Sequence, residues 1–353
     1  MKRQSRLDGL RGVLAVYVML GHALPFTDIP GWVSGLFSHG EAAVDLFFCL
    51  SGMVISASVA RFQGRFAPFI VARASRLLPT YFVALCLAML LLMCGDPLPT
   101  LRWASPTARY IMESGLPQAV FWHICAHLVL AQGIIPQGAL PFAYVTLLGP
   151  AWSLSTEWQF YVLIGLVAPR RLGVAALGLT ALALAYHAIT LPPWWQFSRA
   201  FLPDAAADFG LGMASAALFR GHGRVIFATC LLGGLLDAMV SANPDKMLIP
   251  LIWCAILFAQ MHKSGALLDH KVLQYLGAIS YPLYLINEPV QRGLALLIAP
   301  LSRGATGFTL FWLPASVGLS LIAAAALHHG VERRFMKKGQ KNTVPVIAAT
   351  ASQ

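Results

Sequence analysis

Three ionisable side chains lie inside otherwise apolar runs of this sequence. They are His22, which ends "RLDGLRGVLAVYVMLGH", Asp45, and Glu157 in "PAWSLSTEWQFY". An ionisable group at the centre of a membrane helix costs about 2.5–3.5 kcal/mol on insertion scales, so such residues are functional candidates. A histidine whose second ring nitrogen meets a carboxylate is a positioned general base. The pattern predicts that His22 is such a base, held by Glu157 or Asp45; the alternative is that all three are paired or snorkelling polar residues.

A second group of candidates is basic. Arg11 lies eleven residues before His22, which corresponds to about 16 Å along a helix. Arg73 and Arg76 in "ARASRLLP" are three residues apart, so they share one face of a helix. A pair of this kind suits a phosphate-bearing ligand. The alternative is that these arginines only mark the cytoplasmic side of a membrane protein.

The composition identifies the elements that must position these residues. Hydrophobic residues make up 58% of the 353 positions and charged residues 11%, with a mean hydropathy of +0.69. A soluble domain has about 25% charged residues, so the sequence predicts an all-α, polytopic membrane helix bundle. About ten transmembrane helices are expected, at 8–27, 41–60, 77–94, 152–169, 172–190, 200–219, 225–241, 247–262, 273–298 and 307–329.

The loop charges predict the orientation of this bundle. The net charge is +11, and its basic residues cluster at the N-terminus, at 61–76 and after 332. Because such clusters stay in the cytoplasm, both termini are expected there and the number of spans should be even. A further apolar segment, 119–136, is therefore expected to be re-entrant or interfacial rather than spanning. In this orientation His22, Asp45 and Glu157 all lie near the outer end of the bundle.

Other motifs indicate little chemistry. His123 and His127 are four residues apart, but no HExxH glutamate accompanies them, so no metal site is expected. The six cysteines form no CxxC pair and are expected to pack within helices. No P-loop, GxGxxG or G-x-S-x-G pattern occurs, and no motif indicates nucleic-acid binding.

Five segments in order give the chain a resemblance to a known family. They are "LDGLRGVLAVYVMLGH", "AVDLFFCLSGMVIS", "FIVARASRLLPTY", "AWSLSTEWQFY" and, near the end, "LGAISYPLYLINEP" followed by "VERRF". Together they resemble the integral-membrane acyltransferase family 3, which includes bacterial O-antigen, exopolysaccharide and Nod-factor O-acetyltransferases. The resemblance covers about residues 5–336. One departure is Asn287, where many members carry a histidine, and it bears on the acceptor.

The resemblance implies transfer of an acyl group, usually acetyl, from cytoplasmic acyl-CoA to a hydroxyl of a glycan or lipid-linked saccharide. His22 would be the base, with Glu157 or Asp45 beside it. Donor phosphates would meet Arg11, Arg73 and Arg76. The resemblance further assigns substrate contacts to five residues, namely Trp152, Ser153, Tyr161, Tyr281 and Asn287. It implies acetyl-CoA as co-substrate, no metal, and a multi-pass protein of the bacterial inner membrane. Residues 1–336 would form the acyltransferase domain and 337–353 a short basic, disordered cytoplasmic tail.

Two other functions fit the same polar residues. A transporter or flippase would use intramembrane histidine and acids to relay protons, but it needs no arginine pair at a cytoplasmic mouth. Transporters also often contain inverted repeats, and we find none in this sequence. A purely structural membrane subunit would use the polar residues for helix packing alone. Substitution of His22 separates the enzyme from the structural subunit.

Overall fold

Helices account for all the regular structure of the described residues, which are 2–111, 116–167, 172–221, 223–241 and 243–336 of the computed structural model. No strand occurs within these ranges, so the all-α prediction is confirmed. The predicted tail, 337–353, lies outside the described residues. The α-helices are α1 Lys2–Ala23, α2 Gly31–Gly35, α3 Gly40–Arg61, α4 Phe66–Cys94, α5 Pro106–Ile111, α6 Val120–Leu128, α7 Ala151–Val167, α8 Leu172–Ala188, α9 Leu202–Phe219, α10 Arg224–Val240, α11 Pro244–Met261, α12 Lys271–Ala278, α13 Ser280–Ile298 and α14 Ala305–Leu327.

Every predicted span overlaps a helix, with bounds that agree within six residues in eight cases and differ more in two. The segment 273–298 is divided at Ile279 into α12 and α13. Helix α4 begins at Phe66, eleven residues before the predicted start, so Arg73 and Arg76 belong to a long helix rather than to a loop. The arginines in the first part of α4 lower the mean hydropathy of that part, but they do not interrupt the helix.

The length and composition of the helices fit a membrane-bound protein. Four helical stretches among the described residues are long and apolar enough to cross a bilayer, namely Arg6–Phe26, Gly31–Val59, Phe66–Cys94 and Ala305–Met336. Helix α6 has nine residues and rises only about 14 Å, which is too short to cross. The number of ten spans and the location of the termini stay predictions.

Helix α9 lies at the centre of the bundle, where it packs against α3 and α8. All its residues from Ala205 to Ala216 are buried. Two glycines allow its backbone to approach α3 closely: a Cβ on Gly212 would lie 2.0 Å from the carbonyl oxygen of Cys49, and one on Gly52 would lie 2.2 Å from that of Phe209. Small residues at a helix contact are typical of membrane bundles.

A cluster of charged side chains joins α8, α9, α10 and α11. His187 bridges two carboxylates, with its Nδ1 2.8 Å from Asp237 Oδ1 and its Nε2 3.1 Å from Asp204 Oδ1. The ammonium of Lys246 lies 3.0 Å from the other oxygen of Asp204. The groups therefore satisfy one another within the bundle, as buried charges must.

Candidate active site

Two neighbouring cavities are lined by the predicted site residues except Asp45 and Asn287, which are buried behind them. The larger, about 950 Å³, is lined by His22 and is called the His22 cavity. The smaller, about 100 Å³, is lined by Arg11, Arg73 and Arg76 and is called the arginine pocket. Tyr284 and Val44 line both of them. A molecule extending from one cavity to the other would pass these two residues.

His22, near the end of α1, is held by an amide and not by a carboxylate. Its Nδ1 lies 3.0 Å from Oδ1 of Asn287 on α13. The amide nitrogen of the same asparagine donates to the carbonyl oxygens of Leu283, at 3.0 Å, and Tyr284, at 2.7 Å. Because these bonds fix the amide oxygen toward His22, Nδ1 must carry the proton and Nε2 must present a lone pair. This tautomer is the one that a general base needs.

Glu157 lies in the arginine pocket rather than beside His22. Its Oε1 accepts hydrogen bonds from Ser51 Oγ, at 2.6 Å, and from the hydroxyl of Tyr161 one turn later on α7. Asp45 lies 3.5 Å from Arg199, which also pairs with Glu41. The prediction that Glu157 or Asp45 holds the imidazole is therefore wrong. Residues at the same depth in the bundle need not be neighbours, because their side chains can point in different directions from their helices.

The three predicted arginines converge on the arginine pocket. Arg11 pairs with Asp8 at 3.0 Å, and Arg73 donates to Ser58 Oγ at 2.9 Å. The guanidinium of Arg73 also lies over the ring of Tyr161, 5.6 Å from its centre. The Nε atoms of Arg73 and Arg76 are buried without a hydrogen-bond partner in the described part of the chain. Buried donors of this kind can bind an anion that enters the pocket.

Four of the five predicted substrate contacts divide between the cavities, whereas Asn287 is fully buried beside His22 and lines neither. Trp152 lines the His22 cavity. The guanidinium of Arg199 lies over its ring, at 4.3 Å from the ring centre. Ser153, Tyr161 and Tyr281 line the arginine pocket. The hydroxyl of Tyr161 is bound to Glu157, and that of Tyr281 donates to the carbonyl of Leu77 at 2.7 Å. Both tyrosines therefore already donate their protons to protein groups.

The hydroxyl of Tyr284 lies 2.9 Å from Ser153 Oγ, which also lies 3.2 Å from the carbonyl oxygen of Pro150. Each of two hydroxyls in contact can donate or accept, so the proton of Tyr284 can turn to another acceptor when Ser153 donates to Tyr284. Tyr284 belongs to the segment "LGAISYPLYLINEP", but the sequence alone indicates no role for it. Only the structure shows that Tyr284 lines both cavities.

Three charged residues of the His22 cavity escaped the sequence analysis, namely Arg199, Glu288 and Arg292. Glu288 and Arg292 lie within the predicted span 273–298, so the cost of a charge inside a membrane helix could have identified them. Arg199 precedes its predicted span by one residue. No sequence signal relates it to α3.

His123 and His127 on α6 bond to separate groups. His123 Nδ1 lies 2.7 Å from Thr146 Oγ1, while His127 Nε2 lies 3.0 Å from the carbonyl oxygen of Ala143. No group of three histidine, cysteine or acidic side chains suited to a metal occurs among the described residues. These histidines tie α6 to the segment that follows it.

Comparison with known proteins supplies the family. The model of a family described as "Acyltransferase domain" matches residues 4–329. Acyltransferase MdmB of Streptomyces mycarofaciens is 25% identical over 95% of this chain and 92% of its own. The "Putative membrane-bound transacylase BcsY" of Komagataeibacter xylinus is 29% identical, over 81% of this chain and 72% of its own. Protein 2 in the picA locus of Rhizobium radiobacter is 30% identical over 52% of this chain and 91% of its own.

No solved structure gives a significant match. The family model nevertheless spans both cavities, from the arginines of α1 and α4 to Asn287 and Glu288 on α13. The relatives that the chain resembles over most of its length are named for acyl transfer. The chain therefore belongs to the membrane acyltransferase family 3 and is an acyltransferase.

Proposed function

We propose that this enzyme transfers an acetyl group from cytoplasmic acetyl-CoA to a hydroxyl of a glycan or lipid-linked saccharide. The observation that carries the proposal is the adjacency of a basic pocket and a larger cavity with a histidine base. The arginine pocket suits the phosphates of the donor. The His22 cavity has the volume of a pocket for a medium-sized organic ligand. The thioester would extend past Tyr284 from the first to the second.

The chemistry follows from the tautomer of His22. Nε2 removes the proton of the acceptor hydroxyl while the hydroxyl oxygen attacks the thioester carbonyl. The carbon–sulfur bond then breaks, and the departing thiolate takes the proton from the imidazolium. Asn287 keeps the ring in position throughout. These two proton transfers return His22 to its starting form, so the mechanism needs no acyl-enzyme intermediate.

Tyr284 is the group best placed to stabilise the oxyanion. The negative charge develops where donor and acceptor meet, and Tyr284 lines both cavities. Its hydroxyl is bonded to the hydroxyl of Ser153, which can donate as well as accept, so the proton of Tyr284 can turn to the oxyanion. Tyr161 and Tyr281 donate to protein groups and are less suited to this task.

In the membrane we place the arginine pocket toward the cytoplasm, in the inner membrane of a bacterium. Contacts in the structure favour one side for three basic segments, namely α1, the first half of α4 and the end of α14. The turn His328–Glu332, which follows α14, packs against α4, and Arg11 of α1 lines the same pocket as Arg73 and Arg76 of α4. With the positive-inside rule, this arrangement favours an even number of spans, ten in our proposal.

Two acetyl donors, one with and one without the phosphates and adenosine of CoA, test the arginine pocket. Arg73→Gln and Arg76→Gln should each raise KM for acetyl-CoA about tenfold, because a hydrogen bond to a charged group is worth about 1.5–3 kcal/mol. KM for acetyl-pantetheine, which lacks the phosphates, should change little. The assay measures thiol release by purified enzyme in proteoliposomes.

Arg61→Gln is the matched control, since this arginine is exposed at the end of α3. It should leave the KM values for both donors unchanged. An equal rise in KM for acetyl-CoA and acetyl-pantetheine would show that the arginines do not bind the phosphates.

A further inference from the structure

A carboxylate and a guanidinium lie one helical turn apart in the wall of the His22 cavity. Glu288 follows Asn287, the partner of His22, and Arg292 is four residues further along α13. Residues with this spacing share one face of a helix. The proposed proton transfer and oxyanion use neither residue. Both line the cavity beside His22, and Arg292 also donates to the carbonyl oxygen of Gly95 at 3.3 Å.

The backbone opposite Glu288 leaves room for its carboxylate. A Cβ on Gly149 would lie 2.5 Å from Glu288 Oε2, so a side chain there would displace the carboxylate. The backbone of Gly149 therefore lies directly against this carboxylate. A carboxylate accepts about four hydrogen bonds, so Glu288 keeps acceptor capacity for the hydroxyl groups of a bound molecule.

The charges that line the His22 cavity balance, unlike those that line the arginine pocket. Among the residues lining the cavity, Arg199 and Arg292 are matched by Glu41 and Glu288. In the arginine pocket, by contrast, three arginines face the single carboxylate of Glu157. An anionic ligand is therefore favoured only in the pocket. In the cavity, Glu288 would repel a carboxylate or phosphate placed near it.

We propose that Glu288 and Arg292 form the acceptor subsite, and that this subsite selects an uncharged polyhydroxylated molecule. Glu288 accepts a hydrogen bond from a hydroxyl next to the one that is acetylated, while Arg292 donates to a further acceptor oxygen. The inference deepens the proposed function and rests on it. It restricts the acceptor to neutral sugars and similar polyols, and it assigns the selection to α13.

Two aryl glycosides of the same shape provide the probes. They are p-nitrophenyl β-glucopyranoside, which is neutral, and p-nitrophenyl β-glucuronide, which carries a carboxylate. Proteoliposomes with purified enzyme receive labelled acetyl-CoA, and both CoA release and labelled glycoside are measured. We expect kcat/KM for the glucoside to exceed that for the glucuronide about tenfold or more, because of like-charge repulsion at Glu288.

Two substitutions of Glu288 separate charge from structure. Glu288→Ala should raise KM for the glucoside about tenfold, through loss of a hydrogen bond to a charged group, with kcat and KM for acetyl-CoA nearly unchanged. Glu288→Gln keeps an amide oxygen and the shape of the side chain. It should use the glucoside better than Glu288→Ala does, and it should lose most of the preference over the glucuronide.

The control is Asp28→Asn, because Asp28 bonds to Thr306 and does not line the cavity. It should keep both glycoside KM values. Equal use of the two glycosides by the unsubstituted enzyme, failure to acetylate the glucoside, or an unaltered preference in Glu288→Gln would each overturn the subsite. Basal CoA release distinguishes the cases: if it persists, only the subsite fails, and if acetyl-CoA is not used at all, the proposed function fails with it.

Discussion

The hydrogen bond between His22 and Asn287 defines the chemistry of the site at the scale of single residues. In the proposed mechanism His22 is the general base. A general base is effective only in the correct tautomer, and the amide of Asn287 selects that tautomer of His22. We expect His22→Ala to lower acetyl transfer by about 10²–10⁴-fold, the usual contribution of base catalysis. Asn287→Leu should lower kcat about tenfold, because a lost hydrogen bond of this kind is worth about 1–2 kcal/mol.

The measurement is kcat with acetyl-CoA and a saturating acceptor, alongside the thermal unfolding temperature of each variant. His262→Ala serves as the matched control, because the side chain of His262 is exposed and its one described hydrogen bond is to the carbonyl oxygen of Phe258. Unaltered transfer by His22→Ala would refute the assignment of the base. Equal kcat in Asn287→Leu and the parent would refute the role of the amide.

Tyr284 offers a second test at this scale. Tyr284→Phe removes one oxygen and leaves the ring in place, so it should lower kcat about 10²–10³-fold while KM for acetyl-CoA stays nearly constant. Tyr275→Phe is the control, since the exposed Tyr275 contacts only His329, at 3.3 Å, in the described bonds. A rise in KM with constant kcat would instead assign Tyr284 to ground-state binding.

The contact between α3 and α9 allows a prediction at the scale of elements. Gly212→Ala would place a methyl group 2.0 Å from the carbonyl oxygen of Cys49, so the two helices must separate. Overpacking of this kind costs about 1–3 kcal/mol, and we expect a lower unfolding temperature in detergent. Since α3 also contributes Asp45 and Ser51 to the site, activity should fall with stability.

Gly178→Ala on α8 is the matched control, because no atom lies within 4 Å of the position of its Cβ. The helix propensity of alanine should leave the unfolding temperature equal or slightly higher. If both variants unfolded at the parent temperature, the close approach of α3 and α9 would not contribute to stability. The unfolding temperature can be followed by tryptophan fluorescence.

The sequence predicted the helices better than it predicted their contacts. Apolar runs of sufficient length identified all ten long segments, because burial in lipid requires both apolarity and length. The break at Ile279 and the early start of α4 at Phe66 were missed, since hydropathy averages over a window and records neither short interruptions nor buried arginines. Partners across helices, such as Asn287 for His22, depend on rotation about each helix axis. That rotation is not determined by depth in the membrane.

The same limit explains the division of the candidate site. His22, Asp45 and Glu157 were expected together, and the structure assigns them to three different partners, Asn287, Arg199 and Tyr161. The arginines converge as their spacing predicted, because Arg73 and Arg76 share one helix and one face. Residues on one helix can thus be related from sequence. Residues on different helices need the packed bundle.

At the scale of the whole molecule, the two cavities predict a sided reaction. Arg11 of α1 lines the arginine pocket, and the turn His328–Glu332 packs against α4, which supplies Arg73 and Arg76 to that pocket. In the proposed orientation, which follows the positive-inside rule, these basic segments face the cytoplasm, so we expect the donor to enter from that side. Inside-out membrane vesicles should therefore transfer acetyl groups from acetyl-CoA added outside. Sealed right-side-out vesicles should not, because acetyl-CoA does not cross a bilayer.

A pore-forming peptide admits acetyl-CoA into the right-side-out vesicles and provides the control. Its addition should restore transfer to the level of the inside-out preparation, which shows that the enzyme in both is intact. The measurement is label transferred from acetyl-CoA to the acceptor fraction per unit of enzyme. Equal transfer by sealed vesicles of both orientations would contradict a donor pocket on one side. Transfer by sealed right-side-out vesicles alone would reverse the orientation and place both chain ends outside the cytoplasm.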